Sequence, residues 1–343
     1  MTAIASRDLL PLQDYTKRFR GTAIRDCAVV DRGLFYFISV QVLPPGVPEP
    51  FDSELETRLS KLELDGGEQR WRTLFMEGYS KLMVSGPGSG DTVCVAVDRR
   101  GQVLARQLEG SRDEQDIPGG GGQGPCRGTV TRIKPFAGRL YGCSTGRSLF
   151  YRMGPDQWVE VGPLPPPGPS SAGFTDFDGF SATDIYAGGG RSDLWHCNGQ
   201  SWRKLAFPPK LEIQTVCCAG DGYVYIGCQG GHIYRGRLDE WSLVFEGYLD
   251  MEARRCVPSA GFEDMVWFHD RVYIATGYSL WEIVDGQLQP TQAPKEISAC
   301  GGSLSVADGV MLVAGDCGAA LHDGTAWSLL FSITELEKQA GQA

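Results

Sequence analysis

The chain has 343 residues, enough for a large core, and combines 46 Gly and 20 Pro with 10% aromatic and only 22% charged residues. That balance excludes a disordered chain and suits many short strands joined by tight turns better than it suits helices. A formal net charge of -10 excludes a broad nucleic-acid footprint, which needs clustered Lys and Arg to displace counterions, yet it is compatible with a basic protein partner.

Residues 1–20 form an N-terminal segment. Its start, "MTAIASRDLLPLQDYTKRF", is charged from Arg7 onward and has no continuous apolar run, and no later run reaches membrane-spanning length. A cytoplasmic location without a membrane partner is therefore expected. Eleven cysteines agree with a reducing compartment. Cys94, Cys143, Cys217, Cys218 and Cys228 lie in apolar, strand-like runs, where a thiol packs as a small hydrophobe.

Next, "TAIRDCAVVD", "GLFYFISVQV", "ETRLSKLELDG" and "QRWRTLFME" supply four strands within 21–77, interrupted by the Pro-rich insertion "LPPGVPEPFDSE" (43–54). A second unit, 78–127, is built on "YSKLMVSGPG", "TVCVAVDRR" and "GQVLARQLEG". In it, "EGSRDEQDIPGGGGQGPC" (109–126) is expected to replace the outer strand. Segments of these two kinds read as tethers or binding elements. The glycine run 119–124 opens no helix and lacks the Lys-Ser/Thr of a phosphate loop.

From residue 128 onward the chain repeats itself. "RLYGCSTGRSLFYRMGPDQW", "DIYAGGGRSDLWHCNGQSW", "YVYIGCQGGHIYRGRLDEW", "RVYIATGYSLWEIVDGQL" and "VMLVAGDCGAALHDGTAW" share an alternating strand, a Gly-containing turn, a second strand, and a turn feeding Trp. One further apolar run precedes each, which makes four strands per repeat. Trp71, Trp158, Trp202, Trp241 and Trp327 recur at one or two steps of a period in the low forties, with Leu288 where one is missing. The remaining units fall at 128–163, 172–208, 211–249, 260–294 and 297–333, and 334–343 is a tail. The expected fold is all-β: a seven-bladed β-propeller of four-stranded antiparallel blades within 21–333.

These units, with "NGQSW" and "DGTAW" as the second half of an Asp-box, resemble the degenerate propeller repeats of many bacterial proteins, of the BNR or sialidase-like and tryptophan-aspartate-like kinds. The resemblance covers about residues 129–331 and speaks for architecture. A sialidase-like site would need an arginine triad with a Tyr and Glu pair, and Arg127, Arg147 and Arg191 are not matched to one. Some bacterial propellers of this kind look like immunity proteins encoded beside secreted toxins.

No metal or cofactor is expected. His196, His232, His269 and His322 are dispersed one per blade, and Cys217 and Cys218 point to opposite faces of a strand. "GCSTG" around Ser144 lacks the helix of a nucleophile elbow. The loops that enter the inner strands and join second to third strands should line one rim of the channel. They offer Asp26, Asp176, Asp178, Glu263, Asp264 and Asp316 with Arg127, Arg132, Arg147 and Arg191. Phe174, Phe177, Phe180, Trp267, Phe268, Tyr278 and Trp281 gather in what reads as two neighbouring blades, mostly as core.

The expected binding set is Arg127, Arg147, Asp176, Asp178, Arg191, Asp264, Trp267 and Tyr278, with no catalytic residue assigned. The favoured function is a non-enzymatic protein-binding platform, an immunity protein that occludes a secreted toxin, its acidic charge steering a basic toxin domain. The alternatives are a hydrolase or lyase acting on a glycan or lactone through rim carboxylates, and an assembly scaffold.

Overall fold

The computed structural model describes residues 9–48, 50–86, 92–107, 110–119, 124–163, 173–208, 210–247 and 261–342. Seven sheets, each of four antiparallel strands in chain order, are present among them. The innermost strands are Thr22–Asp31, Met83–Ser85, Val130–Phe136, Asp176–Ser181, Ile213–Cys218, Asp264–Phe268 and Ser303–Ala307. Each touches the next in this order, and the seventh touches the first, so the sheets are blades around a channel. This is the seven-bladed propeller expected from the repeat.

The recurring tryptophans mark the outermost strands. Trp71, Trp202 and Trp327 open theirs, and Trp158, Trp241 and the substitute Leu288 are second residues of theirs. In the turns before Trp202 and Trp327, an Asx side chain closes the loop. Asn198 Oδ1 accepts the Gln200 and Ser201 amides at 3.0 and 2.9 Å, and Asp323 Oδ1 accepts those of Thr325 and Ala326 at 2.9 Å each. Those bonds to Asp323 hold its carboxyl down to about 2. The half Asp-box is thus a turn device.

The glycines of the second-to-third-strand turns answer a different need. A Cβ on Gly189 would meet the Gly173 carbonyl oxygen at 2.0 Å, and one on Gly315 would meet that of Gly301 at 2.1 Å. In these two blades the entering chain crosses directly over the turn, and only glycine leaves room for it.

Hydrophobic cores lie between facing blades. Cys217 belongs to the cluster shared with Met265 and Ile274 of the sixth blade, and Cys218 packs on the opposite side, against that of Tyr186 and Leu194 in the fourth. The aromatics grouped in sequence fall on the fourth and sixth blades, which the fifth separates, so they are not neighbours.

The segment 109–126 departs from expectation. It carries the outer strand of the second blade, Ser111–Glu114. It lacks apolar alternation and is held by ion pairs and a backbone hydrogen bond: Arg152 of the third blade donates to Glu114 at 3.0 Å, both side chains being buried, Arg112 pairs with Asp156, and the Gln115 amide donates to Asp156 at 2.8 Å. A hydrophobic pattern cannot signal a strand anchored this way.

Among the described residues the ring closes without exchanging a strand. The seventh blade is complete in itself, ending in Trp327–Ser332 and the helix Ile333–Gln342. The N-terminal segment clasps the seam: the Leu9 amide donates to the Leu330 carbonyl at 2.9 Å, and the Trp71 indole donates to the Leu9 carbonyl at 2.7 Å. Phe19, Phe37, Trp71 and Phe331 form one ring cluster across the seam, with centroids 5.5–6.4 Å apart.

Candidate binding face and central channel

A propeller's inner strands cannot pair edge to edge all the way round, so their N–H groups need other acceptors. Here side chains supply many of them. Asp26 accepts its own neighbour, the Cys27 amide (2.9 Å), and the Val84 amide of the second blade (2.8 Å). Asp176 accepts the amides of Phe177 (2.9 Å) and of Val216 on the fifth blade (2.8 Å), and Asp178 those of Gly179 (2.8 Å) and Cys218 (2.7 Å). Asp264 accepts Met265 (2.9 Å) and Leu304 of the seventh blade (3.0 Å).

Neutral groups serve at other junctions. Gln214 Oε1 accepts the Phe262 amide at 3.1 Å, and the Ser305 hydroxyl accepts the Val29 amide at 2.9 Å across the closing seam. Ser303 completes that seam by donating to Asp26 at 2.6 Å.

Two cations answer the four carboxylates. Lys134 Nζ lies 2.8 Å from Asp176, and the Arg132 guanidinium lies 3.5 Å from Asp176 and 3.7 Å from Asp264 while donating to the Glu263 carbonyl at 2.9 Å. Burial opposes the charge on both, but Asp264, Asp176 and Asp26 raise the pKa of Arg132, and Asp176 that of Lys134.

Asp26 and Asp178 line the narrow channel, about 300 Å³ in volume, where surrounding protein makes burial the dominant influence. Burial lifts both carboxyls to about 6, against hydrogen bonds from Ser303 and Val84 to Asp26, and against Lys134 and the Cys218 amide at Asp178. An unfolded Asp titrates near 4, so the folded chain keeps these protons in a window where the unfolded chain has released them. The associated stability is present below about pH 4 and is lost as pH rises through about 6. In urea titrations, the stability of the unmodified chain relative to Asp178→Asn should fall by about 2 kcal/mol between pH 4 and 7. A difference that stays flat or rises would show that Asp178 is ionised throughout.

Most of the expected rim residues therefore stand elsewhere. Asp176, Asp178 and Asp264 are channel-wall groups that stitch blades together. Arg127 is buried, donating to the carbonyls of Arg147 (3.0 Å) and Pro163 (2.8 Å), and it pairs with Glu160. Arg147 is buried against Asp193 at 2.6 Å, over the Trp195 ring. Trp267 lines the channel, its ring against Gly220. Only Arg191 and Tyr278 of the set are exposed, Tyr278 at 71%.

The channel widens into a mouth of about 1140 Å³ at the end formed by second-to-third-strand turns and blade-entry loops. Tyr278 stands there, and the Pro-rich insertion of the first blade forms part of the wall with Val42 and Val47. Phe51, 79% exposed on the same insertion, was not singled out from sequence. Its signal was present, an aromatic inside a proline-rich, polar loop.

Burial pushes the thiols of Cys94, Cys143, Cys228 and Cys300 up to about 12, which leaves them protonated and unreactive. Among the described residues no group of three or more His, Cys, Asp or Glu is disposed to hold a metal ion, and no helix is long and apolar enough to cross a membrane.

No family model matches the chain. It is 29% identical over 232 residues to the immune protein Tsi7 of Pseudomonas aeruginosa, a match covering 67% of this chain and 72% of that protein. Among solved structures it is similar to a catalytically inactive virginiamycin B lyase from Staphylococcus aureus with quinupristin, with a TM-score of 0.62 and 10% identity over 88% of this chain and 94% of that one. It is also similar to YCF48 bound to D1 peptide, with a TM-score of 0.58 and 16% identity over 93% and 98% of the two chains. At those identities the two structures speak for the fold alone, which is the propeller found here.

Proposed function

We propose that this chain is an immunity protein that binds a toxin and occludes it, acting by association and not by catalysis. The observation that carries the reading is the 29% identity to the immune protein Tsi7 across 67% of the chain. The chemistry of the channel supports it. An acid–base pair for glycan or lactone cleavage needs carboxylates with lone pairs directed at substrate. Asp26, Asp176, Asp178 and Asp264 each direct theirs at backbone amides on both sides of a blade junction.

A rigid disc also suits the task, because a preformed surface loses little conformational freedom on binding. The net charge of -10 would speed encounter with a basic toxin domain.

The test is co-expression with the toxin reading frame that neighbours its own. Growth should be restored, and the two chains should elute together in fixed stoichiometry. Persistent growth arrest with separate elution would refute the proposal.

A further inference from the structure

We infer that the partner docks on the wide mouth of the channel, by a protruding loop with an apolar or aromatic tip and basic flanks that is held between Phe51 and Tyr278. This rests on the immunity reading above and adds to it the face and the chemistry of the contact.

Apolar exposure is the first argument. Val42, Val47, Phe51 and Tyr278 are 52%, 47%, 79% and 71% exposed, and all four stand at this mouth or on the insertion that walls it. Other exposed large hydrophobics, such as Phe75, Met153 and Leu243, lie on strands away from it. Aromatic side chains beside a concavity are the usual anchors of a protein contact.

The insertion is also fixed in advance. The Val42 amide donates to the Gly21 carbonyl at 2.9 Å, and the Gly78 amide to that of Ser53 at 3.0 Å, which ties the loop at both ends. Phe51 itself is held by a reciprocal turn: its amide donates to the Glu54 carboxylate at 2.9 Å, and the Glu54 amide returns to the Phe51 carbonyl at 2.8 Å. Pro44, Pro45, Pro48 and Pro50 restrict the same stretch in the unfolded chain. An aromatic ring exposed on a pinned loop adds affinity without ordering a segment.

Charge identifies the occupant. From Val42 to Glu56 the insertion holds Glu49, Asp52, Glu54 and Glu56 and no Lys or Arg. Asp52, Glu263 and Asp316 line the mouth, Glu263 and Asp316 on the same side as Tyr278. Basic flanks therefore meet carboxylates near both anchors, and Lys81 and Arg99, on the second-blade side of the mouth, fix which way round the loop enters.

The probe is the catalytically inactivated toxin domain encoded beside this chain, titrated against Phe51→Ala, Tyr278→Ala, and Phe75→Ala as an exposed control on an outer strand. Each mouth variant should weaken Kd at least tenfold, chiefly through a faster off-rate, while the control stays within twofold. Asp52→Asn with Glu263→Gln should slow association about threefold and flatten its dependence on salt. If the unmodified chain binds and both mouth variants stay within twofold, the docking face is wrong and the immunity reading stands. If the unmodified chain does not bind, both fall.

Discussion

Asp176→Ala should destabilise the chain by about 4 kcal/mol, the largest effect of any single carboxylate in the channel. The side chain is fully buried and answers four groups at once: the Phe177 and Val216 amides, the Lys134 ammonium and the Arg132 guanidinium. Alanine leaves two amides without acceptors, each worth about 1–3 kcal/mol when buried, and removes the counter-charge nearest to Lys134. Water entering from the channel recovers part of this, so the full sum is not reached. Asp176→Asn retains one acceptor oxygen and should cost about half as much. Urea denaturation followed by tryptophan fluorescence measures both. A loss below about 1 kcal/mol for the alanine variant would mean that the blades hold together without the stitch.

Trp71→Ala should cost about 4 kcal/mol, in the range for truncating a large buried aromatic. The usual reason is the cavity, but here a second acts with it. Trp71 packs edge-on against Phe19 and Phe331 at 5.5 and 5.6 Å and donates to the Leu9 carbonyl, so it links the first blade, the seventh blade and the N-terminal segment. Because no strand is shared across the seam among the described residues, this cluster and the Ser303 and Ser305 bonds do the closing. Trp241→Ala is the matching control. It occupies the corresponding position in the fifth blade but is only partly buried, and its indole bonds within its own turn, to the Leu238 carbonyl. It should cost about 1–2 kcal/mol. Hydrogen exchange should separate the two further: Trp71→Ala should deprotect Thr22–Asp31 and Trp327–Ser332 first, whereas a uniform loss of protection would show that the seam is no weaker than any other junction.

Both expectations concern groups whose residue type was visible in sequence and whose role was not. Asp176 and Asp264 looked like rim carboxylates because an Asp at the start of an inner strand follows a loop that reaches the channel mouth. The backbone N–H donor they satisfy belongs to the next blade, about 40 residues further on, and no local pattern records it. Arg127 and Arg147 were misplaced for the same reason: their partners Glu160 and Asp193 are distant in sequence, and a buried guanidinium cannot be told from an exposed one by its neighbours in the chain.

What the sequence by itself determined is the architecture. Alternation with period two, Asx-Gly turns and a tryptophan at five of the seven outer strands act within a few residues, and their recurrence counts the blades, so the seven-bladed ring was legible before any coordinate. The outer strand Ser111–Glu114 escaped because ion pairs, not apolar alternation, hold it. Only the tertiary structure decided which charged groups are free to meet a partner. Ring closure brings remote residues face to face, pairs Asp176 with Lys134 and Arg147 with Asp193, and leaves Tyr278 at the mouth and Phe51 exposed on the insertion that walls it. Exposure and pairing are properties of that three-dimensional neighbourhood, and short-range sequence pattern carries no information about them.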